Sequence, residues 1–186
     1  MSVTAIKIAA VNVYCRSNIL YAILQTSDSH ILLVQEPWFH HIQTACSDLD
    51  PAGISVNGVT LNRKWEIFLP PHSPPNVCKV VAYICSDPVH SATIVNNTSH
   101  PIASPSSMVL DLHYDEEFFR LVNIYHCVLK RGHALHHITS SSLDPLIPTM
   151  VFGDFNTHSH LWSIPNTTPS LPLGKPPCQL GDGSGS

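Results

Sequence analysis

The chain has 186 residues and a mass of 20.4 kDa, with 44% apolar and only 12% charged residues. At that length one core buries roughly 70% of the surface an unfolded chain exposes, so size demands no disulfide or metal staple. The low charged share excludes a disordered, acidic or coiled-coil protein, and a net charge of −4 excludes a generally basic surface that coats nucleic acid.

Elements follow one another in short runs. Residues 5–13 alternate as a strand does, and 18–26 read as a helix with Asn18 as its N-cap. Residues 31–35 form a continuous apolar run ending in Gln35-Glu36, the pattern of a strand buried on both faces. Further strands are expected at 65–69, 77–85, 91–95, 108–113, 119–126 and 149–152, separated by Pro, Asn, Asp and Ser clusters. A second helix is expected at 134–143, ended by Pro145 and Pro148. Many strands with few helices predict an α/β (α+β) protein with mixed, mainly antiparallel β-sheets.

After Trp162 the composition changes. Residues 164–186 hold five prolines and four glycines and no periodic apolar pattern, so the folded domain is expected over 1–163 and a disordered Pro/Gly/Ser-rich tail over 164–186. No apolar run approaches the roughly 18 residues that cross a bilayer, and the N-terminus lacks the apolar stretch of a signal peptide. Six scattered cysteines without a Cys-x-x-Cys pair read as free thiols in a reducing compartment. These features predict an intracellular protein, nuclear or cytoplasmic, that is not secreted and has no membrane partner.

The chemistry gathers at strand ends. Glu36 stands where the buried strand 31–35 exits, and Asp154 and Asn156 stand two apart at the end of the strand at 149–152. In open α/β sheets ligands collect at the carboxyl ends of strands. Two carboxylates with amides beside them make a hard oxygen site suited to Mg²⁺, or Mn²⁺, with water and phosphate completing the shell. Alone, either acid reads as a strand terminator in a turn, the commoner role of an isolated Glu at such a place.

Asn12, Gln35-Glu36-Pro37-Trp38, Val122-Asn123-Ile124-Tyr125 and Gly153-Asp154-Phe155-Asn156 occur in an order that resembles the endonuclease/exonuclease/phosphatase (DNase I-like) superfamily. Within it the chain is most similar to endonuclease domains of non-LTR retrotransposons of fungal type. The resemblance runs from about residue 5 to residue 163. It implies part of a four-layer α/β sandwich and metal-dependent phosphodiester hydrolysis, with DNA as the substrate. By the same resemblance Glu36 is the main metal ligand and Asn12 lies at the metal edge. Asp154 orients or deprotonates the attacking water, Asn156 hydrogen-bonds the scissile phosphate and that Asp, and Tyr125 contacts phosphate through its hydroxyl.

The departure is an absence. Relatives end with a Ser-Asp-His element whose histidine contacts the scissile phosphate, and no Ser-Asp-His occurs in these 186 residues. The expectation is therefore a truncated, retroelement-derived copy with weak or no activity. Three alternatives stay open: an active phosphodiesterase in which His126 or His158 replaces the missing histidine, a phosphatase of the same superfamily, and a non-catalytic interaction module. A half-domain would also leave one apolar sheet face uncovered, which predicts a homo-oligomer through that face.

Overall fold

The first strand, β1 (Ile8–Asn12), runs into a tight turn and then helix α1 (Ser17–Thr26), which returns the chain to β2 (Ile31–Gln35). The two strands pair in parallel, Ile8 opposite Ile31 and Asn12 opposite Gln35. This computed structural model describes residues 5–47, 50–71, 78–86, 92–114, 116–125 and 143–154, with side chains left aside for 41–57. The expected helix at 134–143 (all but its last residue), Asn156 and the tail at 164–186 lie outside the described residues.

Helix α1 begins earlier than expected. Its N-cap is Arg16, which makes no side-chain capping bond, and Asn18 sits inside the first turn. The reason is the turn before it. Tyr14 and Cys15 both take left-handed backbone angles, and the Asn12 side-chain oxygen accepts the Tyr14 N–H at 2.9 Å. That Asx turn reverses the chain at once, so the helix starts without needing Asn18 as a cap.

Strands β3 (His40–Ser47) and β4 (Asp50–Gly58) form a separate two-stranded hairpin, and β5 (Trp65–Phe68) pairs antiparallel with β6 (Val80–Cys85). The first sheet has the order β1-β2-β6-β5. β7 (Thr93–Asn96), β8 (Ser107–Tyr114) and β9 (Glu117–Tyr125) follow as an antiparallel meander, and β10 (Thr149–Asp154) joins β9 in parallel. The second sheet has the order β10-β9-β8-β7. The fold is mixed α/β with two mixed four-stranded sheets. Among the described residues no helix is long and apolar enough to cross a membrane.

The continuous apolar runs are explained by which face each residue serves. Ile31 and Leu33 of β2 pack with Val80 and Ala82 of β6, Met108 and Leu110 of β8, and Leu121 of β9, filling the space between the sheets. Leu32 and Val34, with Val81 and Tyr83, point the other way and meet Leu20 and Leu24 of α1. Each such side chain, taken fully out of water, contributes about 1.5–3 kcal/mol. The open sheet face expected from the sequence is thus a correction: the second sheet fills it from within the chain. What apolar exposure remains on β10 is local, with Met150 42% and Val151 38% exposed.

Gly153 is required where β10 meets β9. A Cβ at this position would collide with the backbone carbonyl of Ile124, so any larger residue pushes the strands apart just before Asp154.

Candidate active site

The parallel pairs β1–β2 and β9–β10 both end at one place. The register sets Asn12 opposite Gln35 and Asp154 opposite Tyr125, which brings Asn12, Tyr125 and Asp154 to the same strand ends as Glu36, the residue after Gln35. Across the sheets the Asn12 Nδ2 donates to Asp154 Oδ2 at 2.5 Å. The Tyr125 hydroxyl donates to Glu36 Oε1 at 2.8 Å. Four of the five residues expected from the sequence, Asn12, Glu36, Tyr125 and Asp154, are therefore bonded in two cross-sheet pairs. Asn156 falls outside the described residues.

Glu36 is held by its backbone as well. Its N–H donates to the Lys79 carbonyl at 2.9 Å, and its own carbonyl accepts the Cys15 N–H at 2.7 Å. Clamped this way, Glu36 takes a left-handed angle, φ 47. Tyr14, Cys15 and Glu36 are the non-glycine residues with positive φ among those described, and all three lie at this rim. Each such angle costs on the order of 1–3 kcal/mol and persists only where the surroundings impose it.

The polar layer continues below. Asn123, buried in an otherwise apolar strand, donates through Nδ2 to the carbonyls of Val34 and Val81, each at 3.2 Å. Its Oδ1 accepts Gln35 Nε2 at 2.6 Å. This amide pair pins β9 to β2 and β6 directly behind Glu36. The sequence carried its signal, a lone amide inside Leu121-Val122-Asn123-Ile124, but the sequence reading gave Asn123 no task of its own.

One atom of the site is left without a partner. Glu36 is 9% exposed, and its Oε2 is buried with no hydrogen bond among the described residues. Leaving a buried polar oxygen unpaired costs about 1–3 kcal/mol, more for a charged group, so native structures rarely tolerate it without a use. A buried carboxylate oxygen has the donor chemistry that a hard divalent cation requires. Among the described residues no group of three or more His, Cys, Asp or Glu gathers to hold a metal.

The profile of the Endonuclease/Exonuclease/phosphatase family matches residues 9–184. No curated protein matches the sequence significantly. Among solved structures, the endonuclease domain of TRAS1, a telomere-specific non-LTR retrotransposon, superposes with a TM-score of 0.56 at 13% identity, covering 85% of this chain. The chain in turn spans 62% of that domain.

Proposed function

The chain belongs to the endonuclease/exonuclease/phosphatase family, and we propose that its strand-end site is built for metal-assisted hydrolysis of phosphodiester bonds in DNA. The observation that carries this reading is the buried Oε2 of Glu36, left without a hydrogen bond among the described residues while Oε1 is held by Tyr125, at the strand ends where Asn12 and Asp154 also pair. Likeness to the TRAS1 endonuclease domain favours a DNA backbone over a small phosphate ester as the substrate.

Hydrolysis requires a water in line with the phosphorus–oxygen bond to be broken, a base for its proton, and positive or hydrogen-bonding groups at the non-bridging oxygens. Glu36, with Asn12 at its edge, would hold Mg²⁺ or Mn²⁺, which when bound neutralises charge on the phosphate. The Tyr125 hydroxyl fixes the rotamer of Glu36 by bonding Oε1, leaving Oε2 for the cation. A phosphate contact by the phenol would transfer its one O–H from Oε1 to a phosphate oxygen when substrate binds. Asp154, oriented by the Asn12 amide, aligns the attacking water and takes its proton. Asn156, two residues on, is assigned to hydrogen-bond the scissile phosphate.

Nicking of supercoiled plasmid is the direct test. Slow conversion to open circles is expected with Mg²⁺ or Mn²⁺, none with EDTA, and none with Asp154→Ala. A nicking rate that Asp154→Ala leaves unchanged overturns the assignment. Release of inorganic phosphate from inositol phosphates, without plasmid nicking, would move the reading to a phosphatase.

A further inference from the structure

The proposed substrate is a polyanion, yet the chain is net negative and holds only nine Lys and Arg. Where a DNA strand finds positive charge is therefore decided by individual side chains. Half of the six described basic residues are engaged elsewhere. Lys7 pairs with Asp28 at 2.5 Å, and Arg120 pairs with Asp111 at 2.8 Å. Lys64 donates to the Ser27 carbonyl at 2.8 Å and lies over the Trp65 ring. Arg16 and Arg63 are exposed.

Lys79 is different. Its carbonyl accepts the Glu36 N–H, so the β2–β6 register continues one residue past Gln35–Val80 and sets Lys79 opposite Glu36. Its N–H donates to the Pro105 carbonyl at 2.8 Å, while the Tyr125 N–H donates to the next carbonyl, that of Ser106, at 2.9 Å. Successive carbonyls of one loop thus hold Lys79 and Tyr125 side by side. Its neighbours Cys78 and Val80 are fully buried, and the Cys78 thiol bonds the Val80 carbonyl, which fixes where the lysine leaves the backbone. Its ammonium stands 5.9 Å from the centre of the Tyr125 ring, whose hydroxyl bonds Glu36. No carboxylate pairs with it among the described residues.

We infer that Lys79 is a substrate-binding residue whose ammonium contacts a backbone phosphate of the DNA strand flanking the scissile one, across the face of Tyr125. The inference rests on the DNA-hydrolysing reading of the site. Lysine suits this task as a compact point charge with three donors, and the ring beneath it holds a cation without neutralising it. Two carboxylates at the rim repel a phosphodiester, and Lys79 supplies the nearby charge that offsets them.

The test is the salt dependence of binding to a fluorescein-labelled DNA duplex, read by anisotropy in a Ca²⁺ buffer. Wild type is compared with Lys79→Met, which keeps the methylene stem on the ring, with Lys79→Arg, and with Lys7→Met. Lys7 lies about 16 Å along β1 from Asn12 and serves as the control. Losing one phosphate contact makes the slope of log K against log salt shallower by about 0.9. Across a fourfold rise in salt, Lys79→Met should therefore lose affinity by about 3.5-fold less than wild type does. Lys79→Arg should restore the wild-type slope, and Lys7→Met should leave it unchanged. A purely structural lysine would shift the unfolding midpoint without moving the slope. If wild type binds and Lys79→Met shows the same slope, the inference falls and the active-site reading stands. If wild type binds no duplex at any salt, both fall.

Discussion

The two four-stranded sheets share one apolar layer, but their outer faces are closed by different physics. Outside the first sheet, Leu20 and Leu24 of α1 pack on Leu32, Val34 and Val81, and the Trp65 indole donates to the Leu24 carbonyl at 2.8 Å. Outside the second, a small cluster of Val109, Val122 and Ile124 under Ile102 and Leu143 is accompanied by a polar network. There Arg120 Nε donates to Asp111 Oδ1, Asn97 Nδ2 donates to Asp111 Oδ2, and His100 Nε2 lies 3.3 Å from the guanidinium. The first sheet should therefore answer to changes of volume and the second to changes of charge. The site draws Asn12 and Glu36 from the first and Tyr125 and Asp154 from the second, so its geometry depends on both.

The largest expected effect lies in the second sheet. The Arg120 and Asp111 side chains are only 9% and 13% exposed, and removing one partner strands the other charge. Arg120→Met should cost about 3–5 kcal/mol of stability, whereas Arg120→Met combined with Asp111→Leu should recover most of it. Urea unfolding midpoints would show this, and a double variant no better than the single would break the comparison. In the first sheet Leu24→Ala removes a fully buried side chain and should cost about 2–5 kcal/mol, with no dependence on salt or pH. Because the two sites share no partner, the effects of Leu24→Ala and Arg120→Met should add.

Much of this was legible in the sequence, for a reason visible in particular strands. β2 and β6 are buried on both faces, so each is an almost continuous apolar run, and β8 and β9 keep shorter apolar runs around Asp111, Arg120 and Asn123. The hairpin β3–β4 was missed because His40, His41, Pro51 and Gly53 break any alternation there. Helix α1 was placed one residue late because two left-handed residues, which no propensity predicts, carry the chain into it. The second sheet as cover for the first was missed as well, since strand pairing over long separations leaves no local mark. At the site, residue identities came from motif order. The Tyr125–Glu36 and Asn12–Asp154 bonds, and the Gln35–Asn123 pair behind them, needed the register of two parallel strand pairs.

A smaller effect sharpens the charge side of the comparison. Burial, and then the Arg120 guanidinium, hold His100 below its ordinary 6.5, with Asp111 opposing in part. Above pH 6.5 His100 is neutral in both states and its contribution is complete. As pH falls below that value the unfolded chain takes up a proton that the folded His100 resists, so stability is lost. Wild type should accordingly lose more stability than His100→Gln between pH 7.5 and pH 5.5. Equal losses would remove His100 from the network. The smallest effect belongs to the first sheet. The Cys78 thiol, pushed up to about 12 mainly by burial, should stay unmodified by iodoacetamide at pH 8 in the native protein, and rapid labelling would show that the start of β6 opens.

The central claim is that Glu36 is held by Tyr125 so that its buried Oε2 can meet a cation. Calorimetric titration with Mn²⁺ of wild type and Glu36→Gln addresses it most directly. Glutamine keeps the side-chain volume and an acceptor for Tyr125, so the fold should be retained and the unfolding midpoint preserved or raised. The account predicts weak Mn²⁺ binding in wild type and none in Glu36→Gln. Identical binding in the two proteins would contradict it.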